Sequence, residues 1–322
     1  MKTLNANEYH EAASREPLQA PDTPPTRKRS LAARIFAGNQ GLRAGWSALL
    51  FMALALALGL SASALERVIT HTQRRQTTTP VEDLLHESAL LGALFLATLI
   101  MARIERRSVF SYGFRDDRKL IRLVSGTVVG FLFISGLVGL LWITHALTFD
   151  GKMLHGLLAC KYALLWFAAF LVVAFFEEGL LRGYLQFALT RGLTFWGAAA
   201  VTSVLFGLLH VGNEGESPSG IFVIMAGGLV FCLSLKLTGS LWWIVGVHTG
   251  VGFAEGYFYG TANSGGLYQG HLYATHPVGE AFWSGGATGP EGSIYCLPAL
   301  LLLAAGMWLT WGRRRARSAD LI

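Results

Sequence analysis

Charge is what this chain has least of. Only 14% of its 322 residues are Asp, Glu, Lys or Arg, against 52% hydrophobic residues and a mean hydropathy of +0.45. A water-soluble protein of this length needs more charged surface than that, which argues against a soluble domain around one large core. Cysteine is also scarce. Cys160, Cys232 and Cys296 all lie in apolar segments and no pair has metal-ligand spacing, so they read as small packing residues rather than as a disulfide framework or a metal knot. Near the start no apolar stretch precedes a small-residue cleavage site, and no cleaved signal peptide is expected.

What the chain does have is long apolar runs. Stretches of about 17 to 25 residues, long enough to cross a bilayer core, recur along most of its length. Eight spans are expected at 43–65, 84–102, 121–148, 157–190, 194–211, 219–236, 240–260 and 293–312. The clearest breaks are "GLTFWG" (192–197) and "NEGESPSG" (213–220). The fold class is therefore all-α: a polytopic membrane protein of about eight transmembrane helices around a buried polar site. Residues 42–312 form this domain. Residues 1–41, which include "PDTPPTRKRS", are expected to be a disordered cytoplasmic tail, and residues 313–322 a basic cytoplasmic one. The 38 glycines suit close helix approach. Loop charge sets the orientation: 21 of the 26 Lys and Arg fall on one alternating set of loops, which places both termini in the cytoplasm of a cell (inner or plasma) membrane. The net charge of +6 reflects this bias, and no nucleic-acid partner is expected. The cluster Arg27–Lys28–Arg29 suits anionic headgroups and a plain positive-inside anchor equally. The connection from Thr261 to Glu291 lies on the outer side and is expected to be a solvated loop, the alternative being a segment that caps the cavity or contacts substrate.

Few ionisable residues remain inside the spans, where each is costly and faces protein or a watery cavity. Glu177, Glu178 and Arg182 lie in the fourth, His210 ends the fifth, and His248 and Glu255 lie in the seventh. Glu178 and Arg182 are i and i+4, on one helix face, while Glu177 points about 100° away. At 1.5 Å per residue, Glu177 and His210 reach similar heights of roughly 20 and 24 Å above the cytoplasmic edge. His248 sits roughly 12 Å in, so a tilt or shift has to bring it level. Glu177, His210 and His248 would then converge on one site, where a carboxylate and imidazoles position a water. The plain structural reading is a Glu–Arg clamp between helices and interhelical histidine hydrogen bonds.

These residues carry a resemblance. "EEGLLRGYLQ" (177–186) resembles the Glu-Glu-x-x-x-Arg signature of the type II CAAX prenyl endopeptidase and related bacterial CPBP intramembrane proteases. "FGLLH" (206–210), "GSLWWIVGVHTGVGFAEGYFYG" (239–260) and "TGPEGS" (288–293) follow in the order seen in that family. The resemblance implies an eight-helix intramembrane endopeptidase acting on a membrane-associated protein or peptide. It implies Glu177 as the group that activates water with His210, Glu178 and Arg182 as its orienting partners, and His248 as oxyanion stabiliser or metal ligand. Glu177, His210 and His248 are the candidate ligands for zinc or another divalent metal, and whether a metal takes part is left open. Prenylated CAAX chains are not carried over as substrate.

One position departs from the pattern. Four residues after the histidine the family carries Asn or Asp, and this chain carries Gly252. Losing an oxyanion donor typically costs about 10²–10³ in rate, which puts activity in question. Glu255 is the candidate substitute. Gly252, Gly256 and Gly260 read as a packing stripe. The alternative function is a non-catalytic membrane scaffold or immunity protein that keeps the family fold. The buried carboxylates also allow a transporter, although the two halves show no internal repeat.

Overall fold

A computed structural model describes residues 37–38, 41–70, 77–213 and 215–312. The expected tails 1–41 and 313–322, with the cluster Arg27–Lys28–Arg29, lie outside the described residues except for positions 37, 38 and 41. The described chain is mostly helical: α1 (Ala44–Thr70), α2 (Pro80–Ile104), α3 (Lys119–Ile143), α4 (Gly156–Glu178), α5 (Gln186–Thr190), α6 (Phe195–His210), α7 (Pro218–Thr238), α8 (Trp242–Gly252) and α9 (Cys296–Met307). A π-helical segment, Gly179–Leu185, joins α4 to α5. A second, Phe253–Tyr259, extends α8.

Five of these are apolar and long enough to cross a membrane: α1, α2, α3, α7 and the continuous α4–α5 run from Gly156 to Thr190. The protein is a multi-pass membrane protein. The α6 helix and the run Cys296–Gly312 are apolar but shorter. Large apolar side chains such as Leu56, Leu132, Leu164 and Leu302 face outward, as they do where the surroundings are hydrocarbon.

Local chemistry starts and stops the helices. Thr79 caps α2, its hydroxyl accepting from the Glu82 N–H while Glu82 accepts in return from the Thr79 N–H, with Pro80 at the first helical position. Ser217 and Thr194 cap α7 and α6 in one direction only, their hydroxyls accepting from the N–H groups of Gly220 and Gly197. Gly239 ends α7 at φ 70°, a left-handed cap that glycine adopts without strain.

The tightest helix pair is α3 with α8. Gly126 and Gly130 on α3 face Trp243 and Val247, and Gly246 and Gly250 on α8 face Leu123 and Thr127. A Cβ at any of the four would overlap a backbone carbonyl oxygen of the opposite helix. Two GxxxG pairs thus replace side-chain layers with backbone contact, the packing open to helices in lipid. The stripe expected at Gly252, Gly256 and Gly260 works differently. The first two pack against the Phe170 ring, and Gly260 is a left-handed cap beside Tyr273.

Two expectations are corrected outside the helices. The third span ends at Ile143 rather than near 148, because Leu147–Lys152 forms β4, with a register shift between Phe149 and Gly151. β4 pairs antiparallel with β6 (Tyr273–Pro277), and β3 (Thr77–Thr78) pairs in parallel with β5 (Leu267–Tyr268), after β1 (Ala37–Gly38) and β2 (Gly41–Leu42). The connection 261–291 is therefore not a simple solvated loop. It is tied into the molecule by both ladders, and it carries side chains into the cavity described next.

Candidate active site

Glu177 and Glu178 end α4, where the backbone widens into π turns that carry Arg182. Gly183 relieves the change at φ −77°, ψ −116°. Such π segments concentrate at functional sites because they re-aim side chains within a helix. Arg182 Nη1 donates to Glu178 Oε1 at 3.2 Å, and both side chains are fully buried. The guanidinium carbon lies 4.4 Å from the Phe206 ring centre, which stacks α6 on the cation. Gly228 on α7 leaves room for the other edge of the guanidinium, since a Cβ there would come within 2.9 Å of Arg182 Nη2.

His248 joins the two glutamates. Its Nδ1 lies 3.0 Å from Glu178 Oε1 and its Nε2 3.5 Å from Glu177 Oε2. His248 is therefore level with the glutamates, and Gly130 of α3 seats against its neighbour Val247. His210 Nδ1 lies 2.7 Å from the Phe206 carbonyl oxygen. A carbonyl only accepts, so Nδ1 carries the proton and Nε2 of the neutral ring offers a lone pair.

Glu177, His210 and His248 line one cavity of about 340 Å³. Glu178 and Arg182 stand behind its wall. Glu177 keeps 26% of its side chain accessible, whereas Glu178 keeps none, so the two adjacent carboxylates have opposite surroundings. Glu255, the expected substitute for Gly252, does not line this cavity. It is fully buried, and its Oε2 accepts from Asn263 Nδ2 at 2.6 Å. The helix passes from α to π hydrogen bonding at Phe253, which breaks the seven-residue return to the His248 face. A side chain at Gly252 would run into the Phe170 ring, so that space is already filled.

Among the described residues no three His, Cys, Asp or Glu are arranged to hold a metal ion. Glu177, His210 and His248 therefore do not make the three-ligand set of a catalytic zinc site. These residues do not fit the group.

Several cavity residues escaped the sequence reading. Asp83 and Glu87 come from α2, Asn213 from the turn after α6, and Asn263, Ser264 and Glu291 from the outer connection. Glu291 Oε1 accepts from both the backbone N–H and the hydroxyl of Ser264. Its enclosure pushes the carboxyl above its ordinary value despite those bonds. Two signals existed. Glu87 falls within the interval 84–102, where a carboxylate is itself notable, and Glu291 is the acid of "TGPEGS".

Residues 159–254 match the family described as Type II CAAX prenyl endopeptidase Rce1-like. The chain carries an Rce1-like domain. No curated protein and no solved structure gives a significant match. The Rce1-like match begins within α4 and ends just past α8, so it contains Glu177, Glu178, Arg182, His210 and His248. It leaves out α1, α2, α3 and everything after Ala254.

Proposed function

We propose that the protein is an intramembrane endopeptidase that hydrolyses a peptide bond of a membrane-associated protein or peptide. Eight helical passes with both termini cytoplasmic accompany this reading, with α6, α8 and the last helix as the shorter crossings. The observation that carries it is the pairing of one cavity-facing carboxylate, Glu177, with His248 and His210 inside the matched domain.

In this reading Glu177 takes a proton from water, and the resulting hydroxide attacks the scissile carbonyl carbon. Glu177 then returns the proton to the leaving amine as the C–N bond breaks. Buried Glu178 and Arg182 fix His248, whose Nδ1–H faces Glu178. His210 Nε2 faces the cavity, where it holds the water or, once protonated, donates to the oxyanion. Gly252 supplies no donor, and Asn213 and Asn263 take over. Each lines the cavity and has one amide N–H engaged, to Ser264 O and to Glu255, leaving a second for the oxyanion.

Gly252 also favours a second reading, a membrane protein of this fold that binds a partner without cutting it. Cleavage of membrane peptides by purified protein separates the two. Glu177→Gln and His210→Ala are expected to lower turnover by at least about 10²-fold while the melting temperature stays within a few degrees. Equal turnover in wild type and variants would sink the enzyme reading.

A further inference from the structure

The cavity wall outside the matched domain is acidic. Asp83 and Glu87 face it from α2 and Glu291 from the outer connection, and Glu87 is a charged neighbour of Glu177. No Lys or Arg lines it among the described residues, and its two histidines lie against Glu177, Glu178 and the Phe206 carbonyl.

Glu87 is the residue least explained by the fold. The helix dipole and the capping box account for acids in the first turn of α2, Glu82 and Asp83. Glu87 lies a full turn further in, beyond the reach of either. Its Oε2 is buried and has no hydrogen-bond partner among the described residues. Its charged neighbours Asp83, Glu177 and Glu66 all share its sign. His86, the adjacent residue, is taken by Glu66 at 2.6 Å. Behind the lining Glu255, with no exposed surface, leaves Oε1 without a partner among the described residues, while Asn263 of the cavity lining holds the other oxygen. Buried carboxylate oxygens without protein donors are expensive, and each calls for a partner such as water, an ion or a ligand.

We propose that Glu87, with Asp83 and Glu291, makes the cavity selective for a peptide with a basic side chain, Lys or Arg, close to the scissile bond. The proposal rests on reading this cavity as the peptide-binding site and names the charge of its substrate. The ammonium or guanidinium would supply the missing donors and separate carboxylates that otherwise repel. An extended chain rises about 3.3 Å per residue, and a cavity of about 340 Å³ holds only a short segment. The basic residue therefore lies within about three positions of the cut.

The test uses full-length protein in detergent and a library of single-span peptides randomised at the membrane boundary. Cleavage positions are read for wild type, and retained peptides for Glu177→Gln. Both readouts are repeated with Glu87→Gln added, and with Glu66→Gln as the same charge change outside the cavity lining. The expected result is at least about tenfold enrichment of Lys and Arg in both readouts, lost with Glu87→Gln and kept with Glu66→Gln. Cleavage without basic enrichment, or enrichment that survives Glu87→Gln, overturns the inference and leaves the peptidase reading standing. Basic-selective retention that depends on Glu87, without any cleavage, supports the inference and overturns the peptidase reading. Neither cleavage nor basic-selective retention overturns both. Wild type alone decides the matter if Glu87→Gln does not fold. Hexylammonium should then displace retained or cleaved peptides at concentrations at least about tenfold lower than hexanol, and equal potency overturns the inference.

Discussion

Arg182 balances Glu178 where neither side chain touches solvent, so its loss leaves a buried charge without compensation. Arg182→Met is expected to destabilise the protein by about 3–5 kcal/mol, read as a fall in unfolding free energy in detergent. A change below about 1 kcal/mol would mean that water reaches Glu178. Gly252 tests the opposite limit, overpacking. Gly252→Asn restores the family residue but drives it into Phe170, at an expected cost of about 1–3 kcal/mol. Pairing it with Phe170→Ala should recover much of that loss relative to Phe170→Ala alone, a coupling measurable in a double-mutant cycle. The sequence made the polar residues of the matched domain legible, because each ionisable group inside an apolar run stands out. It did not reveal that Phe170 fills the space at Gly252, since that contact joins residues 82 positions apart. Nor did spacing alone place Glu255, because a π turn is not visible in a pattern read at 3.6 residues per turn.

At the scale of elements, the α3–α8 contact adjoins His248 through Val247. Gly130→Val would force the two backbones apart, since even a Cβ there overlaps the Val247 carbonyl. The expected outcome is a lower melting temperature together with a loss of turnover that exceeds the loss of folded protein. Turnover that tracks folded fraction alone would show that α3 does not position His248. Hydropathy made the helical segments readable, because long apolar runs are separated by polar breaks such as 213–220. It misplaced the end of α3, since Leu147, Thr148 and Phe149 are all β-capable and the apolar run continues through Leu147 into a strand. It also treated 261–291 as solvent-exposed. That segment is polar and rich in glycine, yet its polarity faces the cavity as Asn263, Ser264 and Glu291.

At the scale of the molecule, α2 and α3, outside the matched domain, wall its cavity with Asp83, Glu87, Phe133 and Ile134, and α1 and the end of α2 brace the domain elsewhere. Phe51 of α1 stacks on Tyr184 at 4.5 Å between ring centres, and Glu105 after α2 accepts from Tyr184, Arg191 and Tyr112 at 2.6, 2.7 and 3.1 Å. Burial alone would raise the Glu105 carboxyl. The hydrogen bonds from Tyr184 and Arg191, the Arg191 charge and the Tyr112 hydroxyl together hold it below its ordinary value. A lowered carboxylate stabilises the folded state above its unfolded pKa, about 4.3 for Glu, and loses that contribution as pH falls through the lower folded value. The melting temperature should therefore drop below about pH 4, and Glu105→Gln should flatten that part of the profile. An unchanged profile in the variant would remove Glu105 from the stabilising network.

The most direct test of the enzymatic reading is cleavage of a membrane-peptide library by the purified full-length protein beside its Glu177→Gln variant, with folding checked by thermal melt. Defined cleavage products from wild type, reduced at least about 10²-fold in the variant, are the expected result. Products formed equally by both, or by neither while both remain folded, would contradict it.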